Sequence, residues 1–257
     1  MNKRLVFMVM IVGMFLSFTA CSKGLAINSG PTINSIEDLT KFLASSDQNT
    51  AEKPYTINLA LGYGTDLGEV RNVINNFGRY VNLDLSKSIE LTSIGEEAFY
   101  ECTTLTGITI PRNVTSIGEG AFNGTALTSI TVDANNPNFA SERGILYNKA
   151  KTILIRAPQG ISGNVTIPNS VTSIGEGAFA GCTALTSVTI PNSVTSIGGW
   201  AFYYCIALTS VTIPNSVTYI GEYAFIGCTA LTSVTLSRST GYYSSTFPDT
   251  ARIIYSD

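Results

Sequence analysis

The sequence predicts a solenoid of short repeats, rich in β-strand and joined by short helical turns, with a small α+β unit ahead of it. Three observations carry that expectation. A 23-residue block recurs: Leu185–Ala207 and Leu208–Ala230 agree at 17 of 23 positions, and Ser162–Ala184 follows the same pattern. An Ile-Gly pair returns at Ile94, Ile117, Ile174, Ile197 and Ile220, in steps of 23, 57, 23 and 23. Charged residues are only 13% of the chain, while Ser, Thr, Asn, Gly and β-branched residues are plentiful, a composition that favours sheet over disorder. Self-similarity at this period, with apolar residues at fixed offsets, is the mark of a leucine-rich repeat, α/β horseshoe-type but β-rich, whose units bury a core only by stacking.

Within one unit the spacing assigns a role to each position. In the stretch from Leu185 to Ile190, apolar and polar residues alternate, so Val188 and Ile190 point inward while Ser187 and Thr189 face solvent. Pro191, Asn192 and Ser193 turn the chain, since proline fixes φ and asparagine tolerates turn geometry. Val194 and Ile197 return to the core, and Gly198 opens a single turn of α- or 3₁₀-helix that inserts Ala201 and Phe202. The long step of 57 equals two periods plus 11 and holds Gly144–Tyr147 and Thr152–Ile155, which read as a β-hairpin around Asn148–Lys151 inserted at about 133–161.

An open stack exposes core and unpaired strand edges, so both ends need closure. Residues 31–82 suit an α+β cap at the N-terminus. Ser35, with Asp38 three residues on, starts a capped helix; Pro54–Leu61 reads as a strand, Leu67–Phe77 as an amphipathic helix and Tyr80–Leu85 as the first strand of the array. The repeats then occupy 83–236, and residues 237–257, with Tyr242, Tyr243 and Ile253–Tyr255, close the far end.

The core motif Ile-Pro-x-x-Val-x-x-Ile-Gly-x-x-Ala-Phe stands at Ile110–Phe122, Ile167–Phe179, Ile190–Phe202 and Ile213–Phe225, preceded by a partial copy at Ile94-Gly95 and Ala98-Phe99. In this motif, and in the Asn135-Asn136-Pro137 segment of the long step, the chain resembles the BspA-like leucine-rich-repeat family of bacterial surface proteins over residues 83–236. The resemblance implies a binding surface used in adherence to matrix proteins or neighbouring cells. One unit departs from the pattern, lacking a residue between Phe122 and Leu127.

Residues 1–20 read as an export signal: Lys3 and Arg4, then an apolar run from Leu5 to Phe18 too short for the roughly 20 residues a membrane span needs. The run ends Phe18-Thr19-Ala20-Cys21, which resembles a lipobox with Phe in the usual Leu position, making Cys21 the lipid acceptor and residues 21–30 a tether. The alternatives are a signal cut nearby and an uncleaved N-terminal anchor. The expected location is the bacterial cell envelope, outer membrane or cell surface, with the lipid as the membrane contact.

Chemistry is scarce. The chain has no histidine, which removes the commonest general base and metal ligand, and it has no phosphate-binding or nucleophile-elbow motif. A net charge of −3 offers no footprint for nucleic acid. No cofactor or metal is expected, and no enzyme. Cys102, Cys182, Cys205 and Cys228 share one register and read as a ladder of small buried hydrophobes rather than as a metal site or a disulfide framework. Glu96, Glu119, Glu176 and Glu222 form a second column, read as acids at the start of a helical turn in preference to a glycosidase pair or a calcium site.

Two surfaces are candidates for contact. Ser187, Thr189, Ser210, Thr212, Ser233 and Thr235 line the solvent side of successive strands, as Thr suits an exposed strand whether or not anything docks there. Trp200, Tyr203, Tyr204, Tyr219 and Tyr223 stand where sibling units carry Ser, Gly, Glu or Ala, and large aromatics at variable positions of a repeat are candidate anchors for a partner, or else packing for the C-terminal cap. The functional expectation is therefore a lipid-anchored adhesin or scaffold that binds host matrix or neighbouring-cell proteins. A glycan-binding or envelope-structural module is the alternative.

Overall fold

The computed structural model describes residues 30–256; the signal over 1–20, the lipid acceptor Cys21 and nearly all of the tether lie outside them. The chain winds as a solenoid from its first described strand to its last. β1 (Thr32–Ile33), α1 (Ile36–Ser45), β2 (Tyr55–Leu59), α2 (Leu67–Phe77) and β3 (Val81–Asp84) make the first coils. Ser35 caps α1, its hydroxyl accepting the Asp38 amide at 3.1 Å, and α2 ends on Gly78 in the left-handed region at φ 60°. Both helices bury one apolar stripe: Leu39 and Leu43 from α1, Leu67, Val70 and Ile74 from α2.

β4 (Ser93–Ile94), β5 (Leu105–Ile110), β6 (Ser116–Ile117) and β7 (Ser129–Val132) continue the winding. β1, β2, β3, β5 and β7 form one parallel sheet in that order, so the segment expected as the N-terminal cap continues the sheet of the repeats. The short strands β4 and β6 pair along a second side of each coil, Ile94 opposite Ile117.

The long step contains three strands: β8 (Phe139–Glu142), β9 (Ile145–Asn148) and β10 (Ile153–Arg156). β9 and β10 are antiparallel, but β8 also pairs antiparallel with β9, so the insertion is a three-stranded meander rather than a plain hairpin. Asn136, fully buried, anchors its start: its amide donates to the Pro111 and Val114 carbonyls at 2.8 and 2.9 Å and its oxygen accepts the Asn138 and Phe139 amides. β10 then pairs in parallel with β12 (Ser173–Ile174), which puts Leu154 in the place of a repeat isoleucine.

Beyond the insertion, β11 (Ser162–Thr166), β13 (Ala184–Thr189), β15 (Ser210–Thr212) and β17 (Ser233–Ser237) carry the first side, while β12, β14 (Ser196–Ile197) and β16 (Tyr219–Ile220) carry the second. β18 (Arg252–Ser256) pairs in parallel with β17, so the expected C-terminal cap is one more coil.

The third side of each repeat differs from the single helical turn the sequence predicts. It is a run of consecutive β-turns, such as Tyr203 N–H to Trp200 O and Cys205 N–H to Phe202 O, because alternate amides reach across to the next coil: Gly177 to Gly199, Phe179 to Ala201, Trp200 to Glu222, Phe202 to Ala224. Those amides are unavailable to a helix. The glycine of Ile-Gly does not open a helix either. A β-carbon at Gly198 would lie 2.7 Å from the Glu176 amide nitrogen, so this glycine lets one coil sit directly on the last.

Stacking builds the core as ladders. Phe179, Phe202, Phe225 and Phe247 lie ring over ring at centroid spacings of 4.9, 4.9 and 5.3 Å. The core falls into two bodies that meet at β9, whose alternate faces serve both: Leu146 packs into the N-terminal body, Ile145 and Tyr147 into the C-terminal one. Among the described residues no helix is long and apolar enough to cross a membrane.

Candidate functional site

Four of the five candidate aromatics sit at defined slots of the β-turn run. Trp200 and Tyr223 occupy the second position after Ile-Gly, where the earlier units have Glu97, Gly120 and Gly177; Tyr204 occupies a slot shared with Glu101, Gly124, Gly181 and Gly227. Both slots hold the left-handed backbone in every unit. Gly120, Gly177, Gly124, Gly181 and Gly227 have φ between 58° and 79°, and Trp200, Tyr204 and Tyr223 have φ of 52°, 56° and 57°. A residue with a β-carbon pays roughly 1–2 kcal/mol there relative to glycine, so these aromatics are held against the local backbone preference.

Four of the five aromatics share one side of the solenoid. The Trp200 indole stacks on the Tyr223 ring at 5.6 Å and 22°, and Tyr203 meets Tyr204 edge-on at 4.5 Å. The Tyr204 ring lies over Gly227, within 2.6 Å of where a β-carbon would stand, so that glycine makes room for it. All four stay substantially exposed, Trp200 at 42% and Tyr204 at 51%. Tyr219 is placed differently: it belongs to β16, and its ring meets Tyr243 of the next coil at 6.1 Å, its hydroxyl donating to the Tyr243 hydroxyl at 3.4 Å. That bond raises the Tyr219 pKa above its ordinary value, because the phenol is the donor.

The Ser/Thr set lies on another side. Ser187 and Thr189 belong to β13, Ser210 and Thr212 to β15, Ser233 and Thr235 to β17, with Ser210 paired to Ser233 and Thr212 to Thr235. Among the described residues their hydroxyls have no hydrogen-bond partner, and they form a polar strip on the sheet side of the coils, apart from the aromatics.

A groove of about 630 Å³ adjoins the aromatic cluster, a feature that sequence reading missed. It opens where the insertion shortens the third side of a coil. From Leu154 to Gly163 is 163 − 154 = 9 residues, whereas between their register partners Ile174 and Leu185 it is 185 − 174 = 11. Two residues of turn are missing, and the phenylalanine ladder is interrupted between Phe122 and Phe179. Arg156 spans the gap, donating to the Asn123 side chain at 2.6 Å on one coil and to the Gly177 carbonyl at 2.7 Å on the other. Burial lowers the Arg156 pKa, since a desolvated guanidinium is disfavoured and is held by these carbonyl-type acceptors. Gln159 makes a second bridge, accepting the Thr125 amide at 3.1 Å and donating to the Ala180 carbonyl at 3.0 Å. Glu119 and Glu176 border the groove from its two sides, exposed and with neither a hydrogen bond nor an ion pair on their carboxylates, while Trp200 and Tyr203 wall its far end.

The cysteines do no surface chemistry. Cys102, Cys182, Cys205 and Cys228 are free and fully buried, and Cys205 and Cys228 donate their thiols to the Phe179 and Phe202 carbonyls at 3.2 and 3.1 Å. Burial pushes the Cys102 and Cys182 thiols up to about 12, and the neighbouring Cys228 thiol, together with burial, raises that of Cys205. In the unit that lacks a residue, Thr125 takes the cysteine place, its hydroxyl bonded to the Phe122 carbonyl at 2.9 Å. The glutamate column is exposed and begins no helix, so these residues are not the helix-start acids that the sequence predicts. Among the described residues no group of three or more Cys, Asp or Glu could hold a metal ion.

These coils define a repeat-based interaction module. The chain belongs to the BspA-type leucine-rich-repeat family, whose repeat matches in six copies over residues 72–150 and 161–255. It is similar to a leucine-rich repeat protein of Eubacterium ventriosum, with 28% identity and a TM-score of 0.57 over 72% of this chain and 54% of that one. It is also similar to a leucine-rich cell surface protein of Faecalibacterium prausnitzii, with 28% identity and a TM-score of 0.55 over 79% of this chain and 60% of the other. The chain thus spans little more than half the length of these two. The pneumococcal vaccine antigen PcpA shares the fold at 18% identity, with a TM-score of 0.50 over 79% of this chain and 66% of that one. No curated protein sequence matches the chain.

Proposed function

We propose that this protein is a lipid-anchored cell-surface adhesin or scaffold that grips a protein of the host matrix or of a neighbouring cell through Trp200, Tyr203, Tyr204 and Tyr223. One observation carries the reading: three of these aromatics occupy left-handed slots that sibling repeats fill with glycine or, in the first unit, with Glu97 and Glu101, yet remain exposed instead of filling the core. A bulky residue kept against backbone preference and left in solvent is spent on something outside the chain. Trp and Tyr are the side chains that concentrate binding energy at protein interfaces. The surface location draws support from the cell-surface relative in Faecalibacterium prausnitzii and from the lipobox-like Phe18–Cys21. The Tyr219–Tyr243 pair and the Ser/Thr strip of Ser187, Thr189, Ser210, Thr212, Ser233 and Thr235 are secondary contact surfaces in this reading.

The test is capture. The full-length protein and its Trp200→Gly/Tyr204→Gly variant are immobilised and exposed to a panel of extracellular-matrix proteins and to a glycan array. Retention of a matrix protein by the parent, lost in the variant while circular dichroism is unchanged, is the expected result. Equal retention by both, or capture of glycans alone, overturns it. Cys21→Ala should move the exported protein from the detergent phase to the aqueous phase, and a variant that stays with detergent removes the anchor.

A further inference from the structure

We propose that the groove at the insertion is a receptor for a basic peptide segment, seating a lysine or arginine side chain between Glu119 and Glu176 with its stem against Trp200 and Tyr203. This deepens the reading above, resting on it for the partner being a protein, and adds the chemistry of what is recognised.

The groove is a consequence of register. A regular coil would fill the space between Phe122 and Phe179 with its own β-turn run, but the insertion's run is two residues short, as 9 residues stand where 11 would. What remains is a cleft of about 630 Å³, within the range of sites that enclose small ligands and large enough for a short peptide. Its walls have unequal chemistry. On the floor, Arg156 is committed to the Asn123 oxygen and the Gly177 carbonyl, so its donors are turned into the fold rather than toward a guest. At the sides, Glu119 and Glu176 have no side-chain partner among the described residues. Each is the column glutamate of its coil, and they flank the shortened coil from opposite sides. At the end stands the indole of Trp200, backed by Tyr223 at 5.6 Å and therefore fixed in orientation.

Unpaired carboxylates on two sides and a pre-oriented aromatic on a third make a complement to an amphipathic cation. The ammonium or guanidinium meets the carboxylates, and the aliphatic stem covers the ring, with cation–π attraction added. An acidic or phosphorylated segment would face two bare carboxylates and no free cation.

Trp200 is the only tryptophan in the sequence, so its fluorescence reports on this groove directly. The full-length protein is titrated with an acetylated, amidated Gly-Lys-Gly-Arg-Gly peptide, with its Lys→Gln/Arg→Gln counterpart, and with N-acetylchitohexaose. The expected result is a saturable change in Trp200 emission with the basic peptide only, weakened as salt rises. Glu119→Gln/Glu176→Gln should weaken binding by roughly two- to thirtyfold, as expected for two exposed ion pairs, with unchanged far-ultraviolet circular dichroism. Glu96→Gln/Glu222→Gln, in the same column but away from the groove, should leave it unchanged. No response to the basic peptide, an equal response to the neutral peptide, an equal response in Glu119→Gln/Glu176→Gln, or a response to the saccharide instead, each overturns the proposal. If a matrix protein is captured through Trp200 and Tyr204 but capture is indifferent to Glu119→Gln/Glu176→Gln, the adhesin reading stands and this one falls. If the basic peptide binds while no matrix protein is captured, the reverse holds.

Discussion

Replacing Trp200 by glycine and, separately, by alanine measures the strain on which the functional reading depends. Both changes remove the same indole, which is 42% exposed and stacked on Tyr223, so both lose the burial of roughly 130 Å², about 3 kcal/mol at ~25 cal/mol per Å². They differ in the backbone alone. At φ 52° alanine keeps a β-carbon in the left-handed region, at about 1–2 kcal/mol, whereas glycine has none. Glycine also loses more freedom on folding, which gives back about 0.4–1 kcal/mol. The balance leaves Trp200→Gly more stable than Trp200→Ala by about 0.5–1 kcal/mol, the opposite of the usual order in regular structure. The companion change is Gly177→Ala, in the same slot of the preceding repeat at φ 58°. A β-carbon there would lie 3.6 Å from the Arg156 guanidinium, an ordinary contact, so the cost is conformational and should again be about 0.5–1 kcal/mol. Urea midpoints read both differences. A Trp200→Ala variant as stable as Trp200→Gly, or a neutral Gly177→Ala, would refute the claim that the aromatics are held against backbone preference.

Three further outcomes follow from the packing. Phe202→Ala removes a fully buried ring stacked at 4.9 Å on both sides, so it should cost about 3–5 kcal/mol plus the two stacking contacts, and exceed Phe99→Ala, whose ring has one partner at 6.1 Å; thermal melting in parallel settles the order. Leu146→Ala takes from β9 the residue it contributes to the N-terminal body, and should turn one unfolding transition into two, monitored separately by Trp200 fluorescence for the C-terminal body and by circular dichroism for the whole; a single coincident transition would show that the bodies are coupled elsewhere. The thiol pKa values of Cys102 and Cys182 are raised in the fold from an ordinary 9.0 to about 12, so the stabilisation is fully present below pH 9 and is lost as pH climbs toward 12, by up to about 1.4 kcal/mol per pH unit for each thiol, because the unfolded chain releases those protons first. Cys102→Ser/Cys182→Ser should flatten that decline, and an unchanged slope would assign it to other groups, such as Tyr147, also raised to about 12 by burial.

What the sequence made legible was whatever repeats. The spacing of Ile94, Ile117, Ile174, Ile197 and Ile220 anticipates the second-side ladder in which Ile174, Ile197 and Ile220 stand opposite one another. Local signals sufficed for the helix over Leu67–Phe77 and for Ser35 as a cap. What escaped depends on contacts between coils. The β-turn run replaces a helical turn because its alternate amides bond to the next coil, a partner invisible within one repeat. β8, with the sequence Phe-Ala-Ser-Glu, has no alternation to announce it and is fixed by non-local pairing with β9. The left-handed slots did leave a trace, since glycine recurs at 120 and 177 and at 124, 181 and 227; reading those columns as a backbone requirement, rather than as small residues, would have marked Trp200, Tyr204 and Tyr223 as anomalies of conformation as well as of size.

The insertion gives one solenoid two bodies and, at their meeting, a break in its rhythm. In a stack where each coil touches its neighbours, coupling between distant coils must pass through every step between them. Here one step is carried by β9, by the Arg156 bridge to Asn123 and Gly177, and by Gln159, with a groove where the remaining turn would be. A guest lying between Glu119 and Glu176 contacts both sides of that step at once. It should therefore stabilise the connection as well as the site, by about 2.7 kcal/mol at a hundred times its dissociation constant. In Leu146→Ala, where the two bodies unfold apart, saturating basic peptide should draw the transitions back together. A ligand held by Trp200 and Tyr203 alone touches only the C-terminal body and would raise the Trp200-monitored transition while leaving the other where it was, a result that would place the guest beside the seam and not across it.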